Sequence, residues 1–154
     1  MSMHHTLSSS NKNIYLSMMD TMMVKMDDVP MISSPESDFR WQMIPHHEGA
    51  IAMAKYEIGH GKDFTMIQLA KSILAEQNID ILQMKIWLKN RRATAERVPI
   101  DYGRSMNQAM LVMMDNMTSN DVLKYPDHAF ARVMIPHHQA AIDMAKVILK
   151  YTED

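Results

Sequence analysis

The sequence predicts an all-α protein, a single bundle of about five helices. Three observations carry that reading. Of 154 residues, 19 are methionine, whereas valine, threonine and the aromatic residues that favour strands are scarce. Apolar residues recur at helical spacing in several separate segments. Only 4 Gly and 6 Pro punctuate the chain, which leaves room for long elements. At this length one domain with a real core is expected.

The elements follow in order. Residues 1–12 are polar and read as a disordered tail. They contain no apolar run, so no signal peptide is visible. Ser2-Met3-His4 would hold Cu(II) if Met1 were removed, and a cloning scar accounts for the tail equally well. The first helix spans Asn13–Asp28, with Met19, Met22, Met23 and Met26 at i, i+3, i+4 and i+7. The second spans Pro35–Gly59: Ser34 caps it, Pro35 takes the first position, and Gly59 and Gly61 mark its end. The third spans Asp63–Arg92, with Ile67, Ala70, Ile73, Leu74, Ile81, Met84 and Leu88 on its apolar face. Lys89, Arg91 and Arg92 suit its C-terminus. A linker is expected around Val98–Gly103. Helix Arg104–Thr118 follows, with a stripe of Met106, Met110, Met113 and Met117, and then helix Pro126–Tyr151. Residues 13–154 form the domain, with repeat halves of about 13–92 and 104–151.

The halves are defined by an internal repeat. Pro35 to Lys55 recurs as Pro126 to Lys146 at a constant offset of 91. The core reads M-I-P-H-H-E-G-A-I-A-M-A-K and then M-I-P-H-H-Q-A-A-I-D-M-A-K, identical at ten of thirteen positions. Pro45 and Pro136 fall inside the expected helices. A mid-helix proline costs about 3 kcal/mol and frees a carbonyl one turn back, which predicts a kink beside the paired histidines. In the alternative, each proline starts its helix and the preceding residues are extended.

Within each motif Met43, His46, Ala50 and Met53, and likewise Met134, His137, Ala141 and Met144, share one helix face. His47 and His138 point about 100° away, toward a neighbouring helix. Gln77 and Met84 of the third helix stand seven apart and can join them. Thioether sulfur is neutral and soft and selects Cu(I) over zinc, magnesium or iron, while imidazole strengthens the site and also holds Cu(II). Thioethers do not titrate, so acid weakens only the histidine part. With no Cys, zinc-thiolate, thiol-catalytic and blue-copper sites are excluded. A net charge of -2 argues against nucleic acid as a partner, and no apolar run approaches the roughly 20 residues of a membrane span. A methionine stripe is ordinarily core packing, and the stripes of the two shorter helices (Met19, Met22, Met23, Met26; Met110, Met113, Met117) can serve as core and ligand at once. His60 and His128 stand alone and read as ordinary surface or hydrogen-bonded residues.

At the repeated M-I-P-H-H-x-x-A-I-x-M-A-K the sequence resembles a bacterial family, the CopM-like domain of unknown function three-oh-five. Leu69 to Gln77 and Met84 to Leu88 resemble its central helix. The resemblance covers most of residues 14–150. It implies a ferritin-like bundle that binds Cu(I), Cu(II) and silver in the periplasm or outside the cell. The ligands it implies are Met43, His46, His47, Met53, Met134, His137, His138 and Met144.

The expected function is therefore sequestration or chaperoning of copper(I), with silver(I) as a surrogate, and no catalysis. Beyond the ions, the partners expected are a second copy of the chain or a copper-exchanging protein. Two rivals stand beside this reading. A ferritin-like di-metal carboxylate enzyme needs Glu-x-x-His on two helices, and only Glu57-Ile58-Gly59-His60 fits. A methionine-rich groove could instead hold a peptide, which leaves the paired histidines unexplained.

Overall fold

The computed structural model describes residues 13–30, 34–90, 99–117 and 125–152. Among them the chain forms five helices and no strand: α1 (Ile14–Asp27), α2 (Pro35–His60), α3 (Phe64–Asn90), α4 (Ile100–Asp115) and α5 (Pro126–Ile148). The all-α bundle of about five helices is what the sequence predicts. The expected tail at residues 1–12 with Ser2, Met3 and His4, the basic residues Arg91 and Arg92, Val98 of the expected linker and the helix end at Thr118 lie outside the described residues.

The helix signals act as physical chemistry requires. The Asn13 side chain accepts the Tyr15 amide, and the Ser34 hydroxyl accepts the Ser37 amide ahead of Pro35. Asp63 accepts the Met66 amide at 2.9 Å and so caps α3. α2 ends at Gly61, with an ordinary negative φ of -68°, so the Gly61 amide closes on the Glu57 carbonyl (2.7 Å) without a left-handed turn. Pro45 and Pro136 both lie inside continuous helices. The reading in which each proline begins its helix is therefore wrong.

One boundary needs correction. The segment Pro99–Gly103 belongs to α4, which starts at Ile100 rather than Arg104. Pro99 stands at the cap, where its missing amide costs nothing, and Gly103 is carried inside the helix at a cost of about 1 kcal/mol relative to alanine. Burial of Tyr102 and Met106 offsets it. At the other end, α5 stops at Ile148 and residues 149–151 form turns.

α2 is the hub, packing against α1, α3 and α5, while α4 packs on α5. α2 and α5 run antiparallel. The end of α2 meets the start of α5 where Asp127 accepts the Lys62 and Asp63 amides, and the start of α2 meets the end of α5 where Phe39 and Arg40 share a cavity wall with Ala145. Each repeated motif thus lies on one of two antiparallel neighbours. The core between them is methionine-rich: Met19, Met22, Met26, Met43, Met53, Met106, Met110, Met113, Met134 and Met144 are all buried. Burying one such side chain contributes about 1.5–3 kcal/mol, so these residues stabilise the fold whatever else they do. Met22 lies over Gly49 so closely that a Cβ there would fall 2.7 Å from its sulfur. Glycine is what permits this approach of α1 to α2.

Candidate metal site

The antiparallel pairing brings the two copies of the motif face to face at their histidines. The His46 and His137 rings stack with centroids 3.8 Å apart and planes 18° from parallel. His46 is 1% and His137 2% exposed. Equivalent residues meeting one another place a local two-fold relation between α2 and α5. His47 and His138 then lie on one side of the pair, with ring centroids 6.1 Å and 5.6 Å from their sequence neighbours.

The hydrogen bonds decide which nitrogens can bind a cation. A carbonyl oxygen only accepts, so the ring nitrogen facing one must carry the proton. Nδ1–H of His47 donates to the Met43 carbonyl (2.8 Å) and Nδ1–H of His138 to that of Met134 (3.0 Å). Nε2–H of His137 donates to the carbonyl of His46 (3.0 Å). Each ring thereby presents its other nitrogen as a bare lone pair: Nε2 on His47 and His138, Nδ1 on His137. The Nδ1 of His137 and both ring nitrogens of His46 are buried and have no hydrogen-bond partner among the described residues. Three buried polar atoms without partners cost free energy unless something occupies them. One imidazole N–H fixed on a carbonyl with the other nitrogen bare is the arrangement of a metal-binding histidine.

Electrostatics disfavour a charge on His46, His47 and His137. Burial, reinforced by the charges of His137, His47 and His138, holds His46 well below the ordinary imidazole range. Burial and the His138 charge push His137 down to about 3. His47 is lowered by burial, against the opposing pull of its bond to Met43 and of the Asp80 carboxylate. Its Nε2 stands 3.5 Å from Asp80 Oδ2 of α3.

Thioethers occupy the same helices as this cluster. Met43 and Met134 lie one turn before the stacked histidines, Met53 and Met144 two turns after them, and all four are buried in the same core. Met19, Met22 and Met26 of α1 and Met110 and Met113 of α4 are buried in that core too. Met23, Met117 and Met84 are only partly buried against it. Among the described residues no three His, Asp or Glu side chains are placed to hold an ion together.

Glu57 and His60 do not converge. His60 is exposed, stacks on Tyr56 (3.9 Å) and bonds the Tyr56 carbonyl, while Glu57 turns inward. Tyr15 donates its hydroxyl to Glu57 Oε2 at 2.7 Å. Burial and the neighbouring Asp127 carboxyl raise the Glu57 carboxyl to about 7, and the same proximity, with the Lys62 and Asp63 amides, lowers Asp127. His128 packs edge-on against Tyr125 (6.3 Å). Sequence reasoning missed Asp80, Asp127 and Tyr15. Asp80 alone left a trace, since it lies one turn before Met84 on the same face of α3.

The family described as a domain of unknown function, DUF305, matches residues 36–154. No curated protein and no solved structure matches the chain.

Proposed function

The chain belongs to the DUF305 family, and from the histidine geometry we propose that it is a CopM-like metal-binding protein. Its cargo is copper(I), or silver(I) in its place, and it sequesters or chaperones that cargo without catalysis. The observation that carries this reading is the stacked, neutral His46–His137 pair. It presents unpartnered ring nitrogens in a core built of methionine. His46, His137, Met43 and Met134 are the inner donors, with His47 and His138 beside them. Met53, Met144 and the α1 and α4 stripes form a soft surround. The resemblance of the repeated motif to copper-resistance proteins supports the same reading and points to the cell envelope and a ferritin-like plan. Among the described residues no helix is long and apolar enough to cross a membrane.

The test is anaerobic competition for Cu(I) against a chromophoric chelator. The chain is expected to withdraw Cu(I), and the variant with His46, His47, His137 and His138 all replaced by alanine is expected to lose at least a hundredfold in affinity. No uptake, or uptake unchanged in that variant, overturns the assignment.

A further inference from the structure

Since His46 and His137 are sealed from solvent, an ion bound there needs a way in. A cavity of about 470 Å³ opens between α2, α3 and α5, with Met43, His47, Asp80, Met84, Ala141 and Ala145 in its walls. Met43 lies one turn before His46, and Ala141 lies one turn after His137. Because the helices are antiparallel, both stand on the same side of the stacked pair. The two alanines leave the α5 wall low. The cavity thus reaches within one helical turn of each buried histidine.

Its chemistry is as informative as its position. His47 has committed Nδ1–H to the Met43 carbonyl, and its Nε2 faces the Asp80 carboxylate at 3.5 Å. An imidazole nitrogen and a carboxylate at this separation are positive-charge acceptors, and a small cation can take the place of the proton between them. Met84, one turn beyond Asp80, adds a half-buried thioether to the same wall. The side chain of Asp80 is 48% exposed and that of His47 15%, so the group is open to solvent in a way the inner pair is not. Among the described residues Asp80 and Met84 stand on α3, the helix that follows the first motif.

We propose that this cavity is the loading mouth for a soft monovalent cation: Asp80, His47 and Met84 capture it, and Met43 hands it inward to His46 and His137. This rests on the metal-binding reading above and adds the route.

Silver(I), which is redox-inert, is the probe. Long-range ¹H–¹⁵N spectra of the full-length chain report each histidine ring during titration, and stopped-flow release from a silver-sensitive dye gives the uptake rate. The expected result is that His47 Nε2 shifts in the earliest additions. The paired variant Asp80→Asn with Met84→Leu is expected to take up silver at least tenfold more slowly, yet reach the same final shifts at His46 and His137. Loading at an unchanged rate, or saturation of His46 and His137 with no response at His47, overturns the mouth and leaves the inner site standing. No shift at any histidine overturns both readings. Both substitutions are at partly exposed positions, and the wild-type spectra decide the order of filling even without them.

Discussion

Replacing Glu57 by glutamine is expected to flatten the pH dependence of stability. Glu57 is raised from 4.5 to about 7 in the folded chain, through burial and the neighbouring Asp127 carboxyl. A raised folded pKa means that the native state keeps a proton the unfolded chain releases. The stabilisation is therefore complete below pH 4.5, is lost progressively as pH rises, and is gone above about 7. At about 1.4 kcal/mol per pH unit, the full shift corresponds to a ceiling of roughly 3 kcal/mol. The pair lies beside the exposed turn at Lys62 and Asp63, where solvent screens it, so about 1–2 kcal/mol is the expected size. Asp127 runs the other way: its lowered pKa supplies stability above its ordinary value of 3.8, lost as pH falls through the folded value. Glutamine mimics the protonated acid, donating its amide to Asp127 and accepting from Tyr15. Urea unfolding followed by circular dichroism at pH 4.5 and pH 8 reads the effect. The wild type should lose about 1–2 kcal/mol across that interval relative to Glu57→Gln, which should be the more stable at pH 8. Parallel curves for the two proteins would refute the raised Glu57 carboxyl.

Three further outcomes are expected. Tyr15→Phe removes the hydroxyl that favours ionised Glu57, so the Glu57 carboxyl should titrate above about 7, as ¹³C chemical shifts would record. Thermal unfolding should show a loss of about 1 kcal/mol with it. Gly49→Ala gains helix propensity of about 1 kcal/mol but drives a Cβ to 2.7 Å from the sulfur and 3.1 Å from the Cβ of Met22. Since α1 itself must shift, a net loss of about 1–2 kcal/mol should appear in urea unfolding, and a gain would show the contact to be slack. Met43→Leu with Met134→Leu keeps the volume and should cost less than about 1.5 kcal/mol per site, while Cu(I) affinity in the chelator competition falls at least tenfold. Unchanged affinity would make these two residues core alone.

The local features were legible because local physics sets them. Ser34 and Pro35 announce a helix start wherever the chain goes next. The spacing of Met19, Met22 and Met26 buries those three, whereas Met23, one position on, is only partly covered. The α4 start was misread because Pro99 and Gly103 are breakers by composition, and only the burial of Tyr102 and Met106 against the bundle shows why the helix tolerates them. The stacking of His46 on His137 was legible as far as a shared stripe of donors, but not as a ring-on-ring contact. It depends on α2 and α5 being antiparallel neighbours, which the repeat itself does not encode. Asp80 and Asp127 were illegible for the same reason. A lone aspartate on a helix resembles any solvated residue until another element brings His47 or Glu57 within reach.

The donor set also bears on which charge state of copper the centre would favour. Thioethers are neutral, and burial holds His46 and His137 neutral as well, so the folded chain carries no charge there until an ion arrives. The cost of removing an ion from water rises with the square of its charge. A divalent ion therefore costs about four times what a monovalent one of similar size does in the same surroundings. A carboxylate would offset that difference. Among the described residues Asp80 faces His47, at the cavity wall rather than beside the stacked pair. Inner donors of this kind would select against Cu(II) and zinc through charge as well as softness. The mouth, with its carboxylate and half-open imidazole, does not discriminate to that degree, and selection is left to the step between the two.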